Sequence, residues 1–202
     1  MDLREKVNPK HTALLVIDIQ KDFADPAGFR GIHGGDLSQV DPMVDRLEQF
    51  IPVARQAGVL VLYTQQVYNR DKLSVLQKEQ FDLDGRIIIC DPKTGGHEFY
   101  RINPPEKDVF EKQNFNAFSN PKLQEKLSEN GIKTLVITLM DTYYCVEAAI
   151  RNGYDLGYKI VVPEDLVAGN GKHIEIHNRT LELVQRTFGI VSNSVELSGI
   201  WG

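Results

Sequence analysis

Two runs along the chain are apolar or β-branched throughout: Thr12 to Ile17, which stops at Asp18, and Thr134 to Leu139, which leads into Met140-Asp141. Uninterrupted runs of this length mark strands buried on both faces, as in the middle of a parallel sheet. Between them the apolar spacing changes to three and four. Met43, Leu47, Phe50 and Ile51 predict a helix opened by Asp41 as N-cap, with Pro42 at its first position and Gly58 closing it. Val59 to Tyr63 predicts a second strand. Asp108 to Lys112 predicts a third, followed by a helix that Asn120-Pro121 caps and that runs to about Asn130-Gly131. After the fourth strand, Val146, Ala149 and Ile150 set a helix that Gly153 follows. Gly157 to Val162 and Ile190 to Ser192 predict the last two strands, with a helix from Lys172 to about Phe188 between them.

Three stretches are less regular. Gln20 to Leu37, rich in Gly, Asp and Pro, reads as an irregular loop able to cover a site. Residues 69–85 predict a short helix or an ordered loop, and the Gly- and Pro-bearing residues 86–100 follow no pattern. Strands alternating with helices imply one α/β domain over residues 1–202. Its expected form is three-layer α/β/α, with a Rossmann-like parallel sheet of about six strands in the order 3-2-1-4-5-6.

That order gives the candidate chemistry a location, because ligands of such sheets bind beyond the carboxyl ends of the strands, where the order reverses. Asp18 ends the first strand, Cys145 follows the fourth, and Lys112 ends the third on the same edge. A cysteine at the predicted helix N-terminus meets unsatisfied N–H groups and a dipole that favour the nucleophilic thiolate. Asp18 comes straight after a largely apolar run, where an unpaired carboxylate would be costly. Each residue has a plainer alternative: an inert buried thiol, a loop-capping carboxylate, a solvated lysine. Their convergence on one crevice is what favours chemistry. Glu111, beside Lys112, reads as a surface charge.

Composition narrows the classes. With 202 residues and a net charge of −5 the chain can bury a substantial core, and its interspersed charges offer no basic stripe for nucleic acid or a membrane surface. No apolar run approaches a membrane span, and Met1-Asp-Leu-Arg-Glu-Lys6 is unlike a signal peptide. Two cysteines, Cys90 and Cys145, make no disulfide framework, so a reducing cytoplasm is expected.

Three motifs carry a resemblance. Val-Ile-Asp18-Ile-Gln-Lys-Asp-Phe23, Glu-Lys112-Gln-Asn-Phe-Asn-Ala-Phe118 and Asp-Thr-Tyr-Tyr-Cys145-Val-Glu-Ala, in this order, resemble the isochorismatase-like cysteine hydrolase superfamily. This group includes nicotinamidases, N-carbamoylsarcosine amidase, ureidoacrylate amidohydrolase and biuret hydrolases. The likeness runs from about Thr12 to Ser192. It implies an Asp18–Lys112–Cys145 triad, a non-proline cis peptide between Met140 and Asp141, and an oxyanion hole built from the backbone N–H groups of Asp141 and Cys145. In that scheme Asp18 takes the thiol proton, Lys112 lowers the thiol pKa, and a thioester acyl-enzyme forms and is hydrolysed. The implied substrate is a small amide, carbamoyl or ureido compound, and the implied assembly a homodimer or homotetramer, for which Phe99, Tyr100 and Trp201 are candidate interface anchors.

The chain also departs from the family. Leu139-Met140-Asp141 stands where many members carry glycine and small residues, so the Asp141 carboxylate is available to meet a polar or cationic substrate group. Thr64-Gln-Gln-Val-Tyr68 stands where nicotinamidases carry an Asp-Trp-His metal motif, so neither metal nor cofactor is expected. Phe23, Gln66 and Tyr144 are the candidate substrate contacts, Gln66 as an amide that reads an amide or ureido group. Phe29 and Tyr143 are weaker candidates of the same kind, and Cys90 reads as structural. His173 and His177 share the four-residue spacing of a zinc pair but have no evident third ligand, so they read as helix-surface histidines. Two other functions stay open: an isochorismatase-type vinyl-ether hydrolase, which does not need the cysteine, and a non-catalytic binding protein that has kept the fold.

Overall fold

A computed structural model of the chain describes residues 2–83 and 89–202. Parts of the expectations for residues 69–85 and 86–100 therefore lie outside the described residues. Six strands form one all-parallel sheet: β1 (Thr12–Ile17), β2 (Leu60–Gln66), β3 (Val109–Lys112), β4 (Thr134–Leu139), β5 (Lys159–Pro163) and β6 (Gly189–Ser192). Their order is β3-β2-β1-β4-β5-β6, as the sequence predicts. The central strands pair in register, Thr12 beside Thr134 through to Ile17 beside Leu139, so their carboxyl ends lie side by side.

Alternating side chains of these strands divide the core in two. Leu14, Val16, Val61 and Val136 face α1 (Val40–Gln56), which buries Met43, Leu47, Phe50 and Ile51 against them. Ala13, Leu15, Ile17, Leu135 and Ile137 face the opposite layer, where α3 (Pro121–Glu129) contributes Leu123 and Leu127, and α4 (Glu147–Asp155) contributes Ala149 and Ile150. Between these two helix layers in sequence lies the shorter α2 (Val75–Leu83), which falls in the stretch expected to hold a short helix. Two further helices complete the layers, α5 (Ile174–Leu183) and α6 (Ser194–Trp201). Among the described residues no helix is long and apolar enough to cross a membrane.

Several boundaries differ from expectation, each for a local reason. α1 starts at Val40 with Gln39 as its cap, so Asp41 lies inside the first turn, where its carboxylate suits the positive end of the dipole and accepts a bond of 2.9 Å from the Tyr100 hydroxyl. β2 runs on to Gln66 because its polar tail pairs with β3, Thr64 beside Phe110 and Gln66 beside Lys112. The stretch from Gln20 to Leu37 holds two short helical turns, Lys21–Ala24 and Phe29–Ile32. Asp22 ties them down by accepting from the N–H groups of Phe29 (3.1 Å) and Cys90 (2.6 Å). Gly96 packs so close to this carboxylate that a Cβ there would collide with it.

Of the expected interface anchors, Trp201 belongs to the core of this chain. Trp201 is buried on α6, packs on the Phe50 ring, and donates its indole N–H to the Val7 carbonyl at 2.8 Å. Phe99 and Tyr100 are partly buried against the same cluster. An apolar aromatic near a chain end has the same sequence signature whether it seals its own core or a partner's.

Candidate active site

The chain leaves β1 and β4 through unusual backbone. Asp18 has φ 54° and Leu139 has φ 90°, left-handed conformations in non-glycine residues at the ends of two adjacent strands. The Met140–Asp141 peptide is cis, the geometry that the resemblance implies. A π-helical turn over Thr142–Val146 then runs directly into α4. Cys145 is therefore the fourth residue of this turn and does not sit at a conventional helix N-terminus. The N–H groups of Tyr144 and Val146 both donate to the Asp141 carbonyl, at 3.0 and 3.2 Å. Among the described residues the Asp141 N–H meets no acceptor.

Three strand ends bring Asp18, Lys112 and Cys145 together in the interior. The Lys112 ammonium lies 2.7 Å from Asp18 Oδ2, 2.6 Å from Gln66 Oε1, 3.0 Å from the Asn114 carbonyl and 3.6 Å from Cys145 Sγ. Asp18 Oδ1 accepts from the Thr64 hydroxyl at 2.7 Å, and the Asp18 carboxylate is near enough to the thiol to raise its pKa. Gln20, the glutamine of the first motif, clamps this edge. Its Nε2 donates to the carbonyls of Gln66 and His97, both at 2.7 Å, and its Oε1 accepts from the Gln66 N–H at 2.7 Å. Gln20, Thr64 and Asn114 escape sequence reading as site residues. Thr64 leaves one trace, a hydroxyl directly after an apolar run.

Electrostatics revise one expectation. Burial first, and then Asp18, push the Cys145 thiol well above the ordinary cysteine range, and Lys112 offsets this only in part. This direction is opposite to the one expected of a cysteine at a helix N-terminus. Burial also works to lower the Lys112 pKa, but Asp18 and Cys145 outweigh it, so the lysine stays charged.

Above the thiol lies a cavity of about 260 Å³, lined by Phe23, Gln66, Tyr144 and Asp141 among others. The three candidate substrate contacts thus share one wall with Cys145. Tyr144 is 53% exposed and tilts against the Phe115 ring. Asp141 is not free to meet a cationic group. Arg30 grips its carboxylate with both terminal nitrogens, Nη1 to Oδ1 at 2.7 Å and Nη2 to Oδ2. Burial opposes the Arg30 charge, and Asp141 more than restores it. Arg30 also lies over the Phe23 ring, 5.6 Å from its centre. One arginine in a Gly- and Asp-rich loop gives no sequence signal of such a role. Phe29 stacks on His33, and Tyr143 accepts from the Asn170 N–H at 3.3 Å; neither lines this cavity.

The histidine pair splits. His177 is buried and bonds Thr142 Oγ1 at 2.9 Å, which supports the turn that carries Cys145, whereas His173 packs edge-on against Tyr143. Reading both as surface histidines holds for His173 alone. Among the described residues no group of three His, Cys, Asp or Glu side chains converges. At the position of the nicotinamidase metal motif, Gln66 spends its carbonyl on Lys112, so the donor set present does not fit a metal.

Comparison with known proteins bears on the fold and the family. The isochorismatase domain model matches residues 12–196. Ureidoacrylate amidohydrolase RutB of Acinetobacter baylyi is 28% identical over 205 residues, covering 92% of this chain and 82% of that protein. The same enzyme of Caulobacter vibrioides is 28% identical over 97% of this chain and 93% of its own. Among solved structures, a cysteine hydrolase from Pseudomonas syringae pv. phaseolicola superposes with a TM-score of 0.82 at 22% identity, covering 97% of this chain and 94% of that one. N-carbamoylsarcosine amidase from Thermoplasma acidophilum gives 0.68 at 26% identity, over 91% and 96%. The sheet order, the convergent strand ends and a family match over nearly the whole length make this chain a member of the isochorismatase family.

Proposed function

We propose that the protein is a cysteine-dependent amidohydrolase that cleaves a non-peptide C–N bond in a small amide, carbamoyl or ureido compound. One observation carries the reading: a buried ammonium, carboxylate and thiol meet under a cavity, with Lys112 2.7 Å from Asp18 and 3.6 Å from Cys145. The RutB relatives, named for an amidohydrolase activity, support it.

The chemistry starts from a thiol whose proton burial and Asp18 help to retain. As Sγ bonds to the substrate carbonyl carbon, its proton passes to Asp18, and Lys112 remains beside the developing thiolate. The carbonyl electron pair moves onto oxygen, where the N–H groups of Asp141 and Cys145 act as donors worth about 3 kcal/mol each. Collapse of this intermediate breaks the C–N bond, and Asp18 returns its proton to the leaving nitrogen, giving ammonia or an amine and a thioester. Water, deprotonated by Asp18, then attacks the thioester; the acid leaves and the thiol regains its proton. Triad and substrate oxygen together keep a net charge of zero throughout.

Ammonia release from a panel of amides and ureides, with intact-mass detection of the acyl-enzyme, tests this. Cys145→Ala is expected to fold and to abolish both signals. Retained turnover in that variant would favour vinyl-ether hydrolysis, which needs no nucleophilic sulfur. A wild-type protein that binds but releases nothing would favour a binding role.

A further inference from the structure

Both cations at the cavity are already matched by a carboxylate. Arg30 holds Asp141 through two bonds, and Lys112 holds Asp18 at 2.7 Å, so among the described residues the cavity wall carries no net charge. Its floor, the Cys145 side chain, is 6% exposed, and Phe23, Tyr68 and Met140 supply apolar walls. One polar group there is unspent. Gln66 gives its Oε1 to Lys112, which fixes the amide orientation, and its buried Nε2 has no partner among the described residues. A carboxylate entering this space would shed its water and compete with Asp141 for Arg30. An uncharged oxygen acceptor would instead satisfy the Gln66 amide with no charge to desolvate.

Resting on the amidohydrolase reading, we infer that the Arg30–Asp141 pair makes this site select uncharged substrates. The class is a neutral amide or ureide with a second oxygen acceptor, besides that of the scissile carbonyl, to meet Gln66 Nε2. Asp141 is the specificity-determining residue because its charge cancels that of Arg30. Without it the cavity would be cationic and would welcome carboxylates.

Alkylation of Cys145 by iodoacetamide and by iodoacetate tests the charge selection without any need for the natural substrate. The two reagents have nearly the same size and differ by one negative charge. The ratio of their rates is measured on the protein and on glutathione under the same conditions. The wild type is expected to favour iodoacetamide at least about tenfold more than glutathione does, because a carboxylate sheds its water there with no net charge to meet it. Asp141→Asn is expected to reduce that bias at least about tenfold or to invert it. Arg30→Gln, which leaves Asp141 unpaired, is expected to widen it, and this variant decides the matter if Asp141→Asn does not fold. A wild-type ratio equal to that of glutathione, or variants that leave the ratio unchanged, would overturn the inference. In parallel, N-carbamoylglycinamide is expected to outcompete N-carbamoylglycine in protecting the thiol, and equal protection would count against the inference. If alkylation shows the bias but no amide or ureide is turned over, the amidohydrolase reading fails while the charge selection stands.

Discussion

At the scale of single residues, the site works through opposed influences on one thiol. Burial and Asp18 raise the Cys145 pKa, while Lys112 lowers it. The two partners should therefore move the pH profile of alkylation in opposite directions. Asp18→Asn removes the nearby anion, so its apparent thiol pKa should fall below that of the wild type, yet turnover should drop by about 10²–10⁴ for want of a base. Lys112→Ala removes the cation and should raise the apparent pKa further. Both profiles can be read from iodoacetamide rates between neutral and alkaline pH; an unchanged or lower pKa in Lys112→Ala would remove the lysine from the triad. Cys90, with 0% of its surface exposed, should label only after unfolding.

At the scale of elements, legibility followed the kind of side chain that fills each position. β1 and β4 were readable to the residue because every position is buried and β-branched or apolar. β2 was cut three residues short, since Thr64, Gln65 and Gln66 serve the site and the clamp around it and so break the apolar run. The convergence of Asp18, Lys112 and Cys145 was legible because each closes a strand or follows one. Arg30 was not, because its value lies wholly in reaching Asp141, 111 residues away in sequence. α6 was missed although Asn193 and Glu196 bear the spacing of a capping box; the Asn193 side chain does accept from the Glu196 N–H, at 2.8 Å. Asn193→Ala should cost about 1 kcal/mol in denaturant unfolding, and Trp201→Ala about 3–5 kcal/mol, with no dependence on protein concentration if the tryptophan seals this chain's own core. α5 gives a pH dependence. Burial lowers the His177 pKa, so its bond to Thr142 contributes stability that is full above the ordinary histidine pKa of about 6.5 and is lost as pH falls through the lowered value. Melting temperatures measured below pH 6.5 should decline less steeply in His177→Gln than in the wild type.

At the scale of the whole molecule, the buried central strands hold two residues in conformations that cost on the order of 1–3 kcal/mol each, Asp18 and Leu139, where their carboxyl ends adjoin. The site is thus carried by the most deeply buried part of the sheet. Other surfaces look outward: Val75 and Leu76 open α2 with 72% and 71% exposure, and the next residue, Gln77, reaches the Gln113 carbonyl near exposed Phe115. A second copy covering this apolar edge would give a mass above the 22.8 kDa of one chain in light scattering at micromolar concentration, and a monomer at that concentration would leave it to solvent. Exhaustive EDTA treatment should leave turnover unchanged, as the donor set around Gln66 implies. A thiol pKa held above the ordinary cysteine range also bears on how long the molecule survives. Peroxides consume thiolates, and a sulfur that ionises only as a substrate carbonyl meets it offers them little to attack. Working life under oxidative stress should be long at neutral pH and shorten as the medium turns alkaline. Asp18→Asn, whose thiol ionises more readily, should lose its free sulfhydryl to hydrogen peroxide faster than the wild type, so the carboxylate proposed as base would also act as the enzyme's own antioxidant.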